Sequence, residues 1–167
     1  TRLFFLIPVL FFAATAQLFS ADAPLNQLSA KEQKAGWKLL FNGKSLDGWR
    51  NFKKPAAPTH GWKIENGGLK LEAKSGRGDI ITVDKFTDYD LHWEWKLPVR
   101  ANNGVKYLVS EDRPKTPGPE YQMIDDTLET DAKNRTAALY DILPPAENRP
   151  VKPMGEWNES RILVQGN

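Results

Sequence analysis

The stretch from Tyr89 to Asp126 constrains the fold most strongly, because its apolar and polar residues alternate. In LHWEWKL at 91–97 the odd-numbered positions are large and apolar, whereas the even-numbered ones are polar. The same period recurs at 105–109 and at 120–123. A period of two is typical of β-strands that bury one face. We therefore expect three strands here, with their aromatic side chains in a core.

The polar positions of these strands give one predicted sheet face four functional groups. If the strands are consecutive neighbours, Glu94, Lys106, Glu120 and Gln122 share that face. The two glutamates are then two strand spacings apart, roughly 9.5 Å. That separation is near the upper end of what lets two carboxylates act across a glycosidic bond with a water between them. The same residues also fit a solvated cross-strand charge ladder, and residue types alone leave both interpretations open.

Turn residues divide the rest of the chain into further short strands. Asn66-Gly67-Gly68 lies between two alternating runs and predicts a hairpin. Strands are also expected at 37–41, 79–83 and 157–165, and one helical turn at 29–35. This pattern of short strands and turns indicates an all-β, antiparallel sandwich. Because the chain ends on turn residues where a hairpin partner is expected, the sequence predicts a domain truncated at its C-terminus.

The N-terminal residues predict an export signal. An apolar run, LFFLIPVLFFAATA, is too short to span a bilayer and ends on small residues. We expect residues 1–16 to form a signal peptide that lacks its start, residues 17–35 a linker, and residues 36–167 the sandwich domain. The mature protein is therefore expected to be secreted or periplasmic, with no membrane segment. The chain has no cysteine, so its stability must come from packing rather than from disulfides.

The charge distribution argues against nucleic acid as a partner. The 23 Lys and Arg residues are spread among 21 Asp and Glu residues, without a basic cluster. There is also no cysteine nucleophile, no GxSxG motif and no glycine-rich phosphate loop after a strand. These absences argue against the hydrolases and nucleotide-binding proteins that depend on these motifs.

An acidic cluster follows the third strand and is the candidate cation site. Asp125, Asp126, Glu129 and Asp131 offer oxygen ligands, but they lack the EF-hand spacing. A solvated loop is the more ordinary interpretation, so we assign no metal ligand and expect no cofactor, with a divalent cation such as calcium as the alternative. Further along, Tyr140 could stack on a sugar ring, although aromatic residues in strands usually belong to the core.

Several motifs, in the same order, resemble the 3-keto-disaccharide hydrolase domain family. The resemblance runs from about Gly36 to the final residue. It is carried by FNGKSLDGW at 41–49, WKIENGGLK at 62–70, GDIITVDKFTDYDLHWEWK at 78–96, NNGVKY at 102–107, EYQMIDD at 120–126, ALYDILPP at 138–145 and GEWNESRILVQGN at 155–167. It implies a jelly-roll sandwich of the concanavalin A type, a bacterial secreted protein, and an enzyme that cleaves glycosides oxidised at carbon 3.

The resemblance also implies roles for the polar residues. Glu94 and Glu120 are the expected acid and base. Lys106, or a metal held with Asp125, is expected to stabilise the enolate oxygen. Leu108 stands where many members have arginine, so Lys106 would supply the cation that arginine supplies elsewhere. Gln122, Asp125 and Tyr140 complete the expected carbohydrate-binding set. The competing interpretation is a non-catalytic, secreted carbohydrate-binding sandwich, which shares the fold but needs no acid, base and cation together.

Overall fold

The computed structural model describes residues 26–72, 78–115 and 117–166. The predicted signal peptide at 1–16 and the first part of the predicted linker lie outside these residues. The regular secondary structure of the described chain consists almost entirely of short antiparallel strands, which confirms the all-β class. Its elements are α1 (Ala30–Lys34), β1 (Trp49–Asn51), β2 (Trp62–Glu65), β3 (Gly68–Leu71), β4 (Ile80–Thr82), β5 (Tyr89–Trp95), β6 (Asn102–Lys106), β7 (Glu120–Ile124), two 3₁₀-helices (Asp126–Leu128 and Ala132–Asn134) and β8 (Asn158–Val164).

The helix α1 confirms the helical turn expected at 29–35. Ser29 caps it, because the Ser29 hydroxyl accepts a hydrogen bond from the Glu32 N–H while the Glu32 carboxylate accepts one from the Ser29 N–H. No helix in the described ranges is long and apolar enough to cross a membrane.

The predicted hairpin is present as β2 and β3. Its register joins Trp62 to Leu71 and Glu65 to Gly68, which leaves a two-residue loop. Asn66 and Gly67 both have positive φ, 52° and 74°. Two positive φ angles define the mirror-image turn that matches the twist of paired strands, so the Asn-Gly pair determines this connection.

The strand predicted at 37–41 is wrong. The Trp37 N–H donates to the Glu32 carbonyl at the end of α1, and the Leu40 carbonyl accepts a hydrogen bond from the Trp49 indole at 2.7 Å. The Trp37 ring meets His92 edge-on at 4.7 Å between centroids. This segment therefore uses its backbone groups to end a helix and to hold an indole, rather than to form a ladder.

The strand pairing differs from the order expected for the central strands. β5 pairs with β8 over seven residues, from Tyr89 opposite Val164 to Trp95 opposite Asn158. β6 pairs with β7, and β5 belongs to a different sheet. The expectation that β5, β6 and β7 are consecutive neighbours is therefore wrong. The period of two correctly identified each strand's faces but contained no information about its partner.

The β5–β8 and β6–β7 sheets pack face to face. The Trp93 ring meets Tyr121 edge-on at 5.0 Å between centroids, and its indole N–H donates to the Met123 sulfur at 3.4 Å. Ser160 links the sheets, since its hydroxyl accepts from the Trp95 indole and donates to the Tyr121 hydroxyl, each at 2.8 Å. Trp95 and Ile162 of one sheet and Met123 of the other are buried between them, which makes the described chain a sandwich.

Candidate active site

A lysine and a glutamate face each other at one end of the β6–β7 ladder. Lys106 lies directly opposite Glu120 in the register. The Lys106 Nζ is 3.5 Å from Glu120 Oε2, and the two side chains are 36% and 22% exposed. Because alternate residues of a strand point to opposite faces, both side chains lie on the face turned away from Tyr121 and the sandwich core. An accessible cation and an accessible carboxylate therefore meet on this face.

The segment at 137–140 adds a third strand-like row beside β7. Leu139 bridges to Tyr121, and the Tyr140 N–H donates to the Glu120 carbonyl at 3.0 Å. This register places Tyr140 opposite Glu120, and cross-strand neighbours share a face. Tyr140 is 43% exposed. Lys106, Glu120 and Tyr140 thus form a row across three adjacent segments, which we call the Glu120 row.

Glu94 lies apart from this row. It is exposed on β5, where it alternates with Trp93 and Trp95. Those tryptophans point towards β7, so the Glu94 side chain points away from it, next to Glu159 on β8. Glu94 and Glu120 consequently occupy opposite outer faces of the sandwich. The expected single face bearing both glutamates is wrong, because it depended on a strand order that the fold does not have.

Gln122 is on the face of the Glu120 row but is only 1% exposed. Its backbone N–H donates to the Ala138 carbonyl, and its carbonyl accepts from the Ala137 N–H. Its side-chain Oε1 accepts from the Met123 N–H at 3.1 Å. Direct contact of Gln122 with a sugar stays a prediction, and the burial favours a role in holding β7 against its neighbouring segment.

Asp125 is also buried, at 4% exposure. Its Oδ2 accepts from the Arg100 N–H at 2.8 Å, and its Oδ1 accepts from the N–H and the hydroxyl of Thr127. The Arg100 N–H, and then the Thr127 groups, hold the pKa of Asp125 below its ordinary value because they stabilise the ionised carboxylate. Sugar binding by Asp125 stays a prediction, and its contacts favour a structural role at the end of β7.

The acidic cluster after β7 is largely engaged in local contacts. Asp126 pairs with Arg149 and accepts from the Thr136 N–H, and Asp131 accepts from the Lys133 N–H at the start of a 3₁₀-helix. In the part of the chain that the structure describes, no group of three or more His, Asp or Glu side chains is arranged to hold a metal ion. The alternative of a bound divalent cation such as calcium therefore has no ligand set among these residues.

A shallow depression of about 570 Å³ lies elsewhere on the surface and contains none of the predicted site residues. Its lining includes Arg50 and Glu111, which pair through two hydrogen bonds of 2.8 and 2.6 Å. The Lys53 N–H donates to the same carboxylate at 2.8 Å. Since Arg50 and Glu111 form hydrogen bonds to each other, we assign this pair a structural role rather than a role in ligand binding.

Sequence reasoning missed Gly104, which contributes to the site because it has no side chain. A Cβ placed on Gly104 would be 2.1 Å from Glu120 Oε1, so the glutamate side chain lies across this glycine. In the sequence Gly104 stands directly before the alternating run at 105–109, so that run gave no indication of this close approach.

Comparisons with known proteins agree with this fold. A 3-keto-disaccharide hydrolase from Bacteroides thetaiotaomicron is 32% identical over an alignment of 167 residues, which covers 85% of this chain and 57% of the relative. The chain thus spans little more than half the length of that relative. A solved structure from Parabacteroides distasonis, described as a candidate glycosyl hydrolase, is 32% identical with a TM-score of 0.72 and matches 84% of this chain and 70% of its own.

The family assignment rests on the match over most of the chain. The sequence profile of the 3-keto-alpha-glucoside-1,2-lyase-like domain matches residues 36–167, from just after α1 to the end of the sequence. This region contains the eight strands of the described residues and the whole Glu120 row. The chain is therefore a member of the 3-keto-alpha-glucoside-1,2-lyase-like domain family.

Proposed function

We propose that this protein cleaves the glycosidic bond of 3-keto-disaccharides, and that the Glu120 row carries out the reaction. Family membership and the relative named for 3-keto-disaccharide hydrolysis support the substrate class. The observation that carries the assignment to residues is the ion pair of Lys106 and Glu120, at 3.5 Å, in which both side chains are partly exposed.

The chemistry follows from the keto group at carbon 3. This group acidifies the hydrogen on carbon 2, so a base can remove that proton and leave an enolate on the carbon 3 oxygen. The enolate then re-forms the ketone and expels the glycosidic oxygen from carbon 1, which creates a double bond between carbons 1 and 2. The leaving oxygen takes up a proton. Addition of water across the double bond completes net hydrolysis, with hydroxyl on carbon 1 and hydrogen on carbon 2.

Each member of the Glu120 row has a role in this scheme. Glu120 removes the carbon 2 proton and can return it to the leaving oxygen. Lys106 stabilises the negative charge that develops on the enolate oxygen, which is where a fixed cation lowers the barrier most. Tyr140 offers an exposed ring to one face of the sugar. Gln122 and Asp125 support the row by fixing the backbone of β7 and the turn after it.

Export belongs to the same proposal. Its support is the apolar N-terminal run ending on Ala14-Thr15-Ala16, which is typical of a cleaved secretory signal. N-terminal sequencing of the protein isolated from periplasm or medium tests it. A start near Gln17 is expected, whereas an uncleaved cytoplasmic product would contradict export.

The function is tested by incubating the protein with a 3-keto-disaccharide and with its unoxidised counterpart, and by following sugar release. We expect release from the 3-keto substrate alone, and a loss of about 10² to 10⁴-fold in Glu120→Gln. Glu159→Gln is the matched control, since Glu159 is an exposed strand glutamate on the opposite outer face. Binding of the substrate without any release would identify the protein as a carbohydrate-binding module instead.

A further inference from the structure

The geometry points to Gly104 as the residue that positions the Glu120 carboxylate. We propose that the absence of a side chain at Gly104 lets Glu120 lie across β6 with its carboxylate held at Lys106. The catalytic part of this inference rests on the proposed function, since positioning matters for activity only if Glu120 is the base.

The backbone does not explain why residue 104 is glycine. Gly104 is in the middle of β6, opposite Gln122, and its φ lies outside the positive range that favours glycine. Any residue can adopt such extended backbone. Glycine inside a strand also weakens it, because glycine has no side chain to pack and loses more conformational freedom on folding. Glycine at position 104 therefore destabilises β6, and the local backbone conformation does not require it.

The space above Gly104 supplies the reason. The three atoms nearest to a Cβ placed there all belong to Glu120: Oε1 at 2.1 Å, and Cδ and Cγ at 2.8 Å. Gly118 differs, since a Cβ there would meet the Tyr107 backbone carbonyl at 2.4 Å with φ at +140°. Gly118 is required by the backbone, whereas Gly104 is required by one flexible side chain.

The contact also orients the carboxylate. Oε1 lies over Gly104, while Oε2 is 3.5 Å from the Lys106 Nζ. A methyl group at position 104 would overlap the glutamate from Cγ outward, so the side chain would have to rotate away from β6. Because the glutamate is flexible and accessible, the fold can accommodate that rotation. The carboxylate would then leave its position beside Lys106.

The test compares Gly104→Ala with Gly68→Ala. Gly68 is also a strand glycine without positive φ, and a Cβ there would meet its nearest atoms at 3.4 and 3.9 Å, which is ordinary contact. We expect Gly104→Ala to lower kcat at least about 10-fold, since small displacements of a catalytic group are costly. We expect KM and the melting temperature to change little. Gly68→Ala should retain the wild-type kcat.

A double-mutant cycle separates positioning from a general structural effect. In a Glu120→Gln background, Gly104→Ala should cause no further loss of kcat, because the group it displaces no longer acts as a base. An equal additional loss in that background would overturn the proposal, as would wild-type kcat in the single variant.

Crystal structures of the wild-type protein and Gly104→Ala give a readout that does not depend on activity. Displacement of the Glu120 carboxylate from Lys106 in the variant is expected. If the carboxylate instead keeps its place against β6 in the variant, the inference is wrong. If the wild-type protein releases no sugar but the displacement is observed, the proposed function fails while the positioning by Gly104 stands.

Discussion

Lys106 and Glu120 face each other across the last pair of the β6–β7 ladder, with Nζ and Oε2 3.5 Å apart. The sandwich core lies behind them, and the exposed Tyr140 is the next residue along the row. The Glu120 carboxylate therefore has both an opposing charge and an aromatic ring within one sheet face.

Removing the charge of Lys106 should impair catalysis more than binding. In Lys106→Met, kcat should fall by about 10²-fold, because the developing enolate loses its cation, whereas Lys106→Arg should retain part of the activity. Steady-state kinetics with a 3-keto-disaccharide measure both. Lys70→Met is the control, since Lys70 also pairs with a strand glutamate, Glu65, at 2.6 Å but on the β2–β3 hairpin. Equal losses in the Met and Arg variants would argue against a purely electrostatic role.

Glu94→Gln should retain most of the activity that Glu120→Gln loses. The reason is geometric, because Glu94 is on the β5 face turned away from β7, beside Glu159. Parallel kinetic assays of the two variants decide this. A comparable loss in both would restore the two-glutamate mechanism expected from the sequence and would require substrate to reach both outer faces.

Truncating Trp95 should destabilise the fold strongly. Trp95 is 6% exposed and its indole is bonded to Ser160, so Trp95→Ala should lower the free energy of unfolding by about 3 to 5 kcal/mol. Urea denaturation measures the change. Trp157 is 49% exposed, so Trp157→Ala is the control, with an expected loss of about 1 kcal/mol or less. Similar losses for the two variants would contradict the face-to-face packing.

The Arg50 and Glu111 pair should make stability depend on pH in a defined window. The Arg50 guanidinium, helped by the Lys53 N–H, lowers the pKa of Glu111 from its ordinary value of 4.5 to about 2. Above 4.5 the carboxylate is ionised in both states, and the pair contributes fully. As pH falls from 4.5 to about 2 the unfolded chain binds the proton first, so this contribution is lost.

The measurement is the difference in unfolding free energy between the wild-type protein and Glu111→Gln across that window. The difference should narrow as pH falls. In an Arg50→Met background it should no longer vary with pH in the same way, because the cause of the lowered pKa is gone. A difference that stays constant from pH 4.5 to 2 in the wild-type background would contradict the pairing.

The sequence predicts which residues share a face of a strand better than it predicts which strands pair. Alternation identified β5 and β7, and Asn66-Gly67 identified the hairpin, because both are local patterns. The strand expected at 105–109 was placed too late, since β6 is Asn102–Lys106 and Leu108 has a positive φ of 53°. The pairing of β5 with β8 brings the Trp95 indole to the hydroxyl of Ser160, which is 65 positions away, and no local pattern encodes it. The alternation therefore assigned Glu94 correctly to a solvent-facing position but could not show which sheet it belongs to.

No local sequence pattern predicted that Tyr140 would lie beside Glu120. This placement depends on positive φ at Ala137 and Asp141, 68° and 62°, which let the segment bend onto the edge of β7. Neither residue type requires such a conformation, so tertiary contacts determine it. Gly104 was missed for a related reason, because it stands just before the alternating run at 105–109 and the side chain that lies across it belongs to β7.

The contact of Trp93 with Tyr121 lies between the outer surface of β5–β8, which carries Glu94 and Glu159, and the surface of β6–β7 that carries the Glu120 row. Substitutions beside Glu94 and Glu159 alter a surface that the aromatic layer screens from the Glu120 row. Substitutions at Glu94 and Glu159 are therefore expected to leave the geometry of the Glu120 row unchanged. The outer surface of β5–β8 is the place to tether this protein to a solid support.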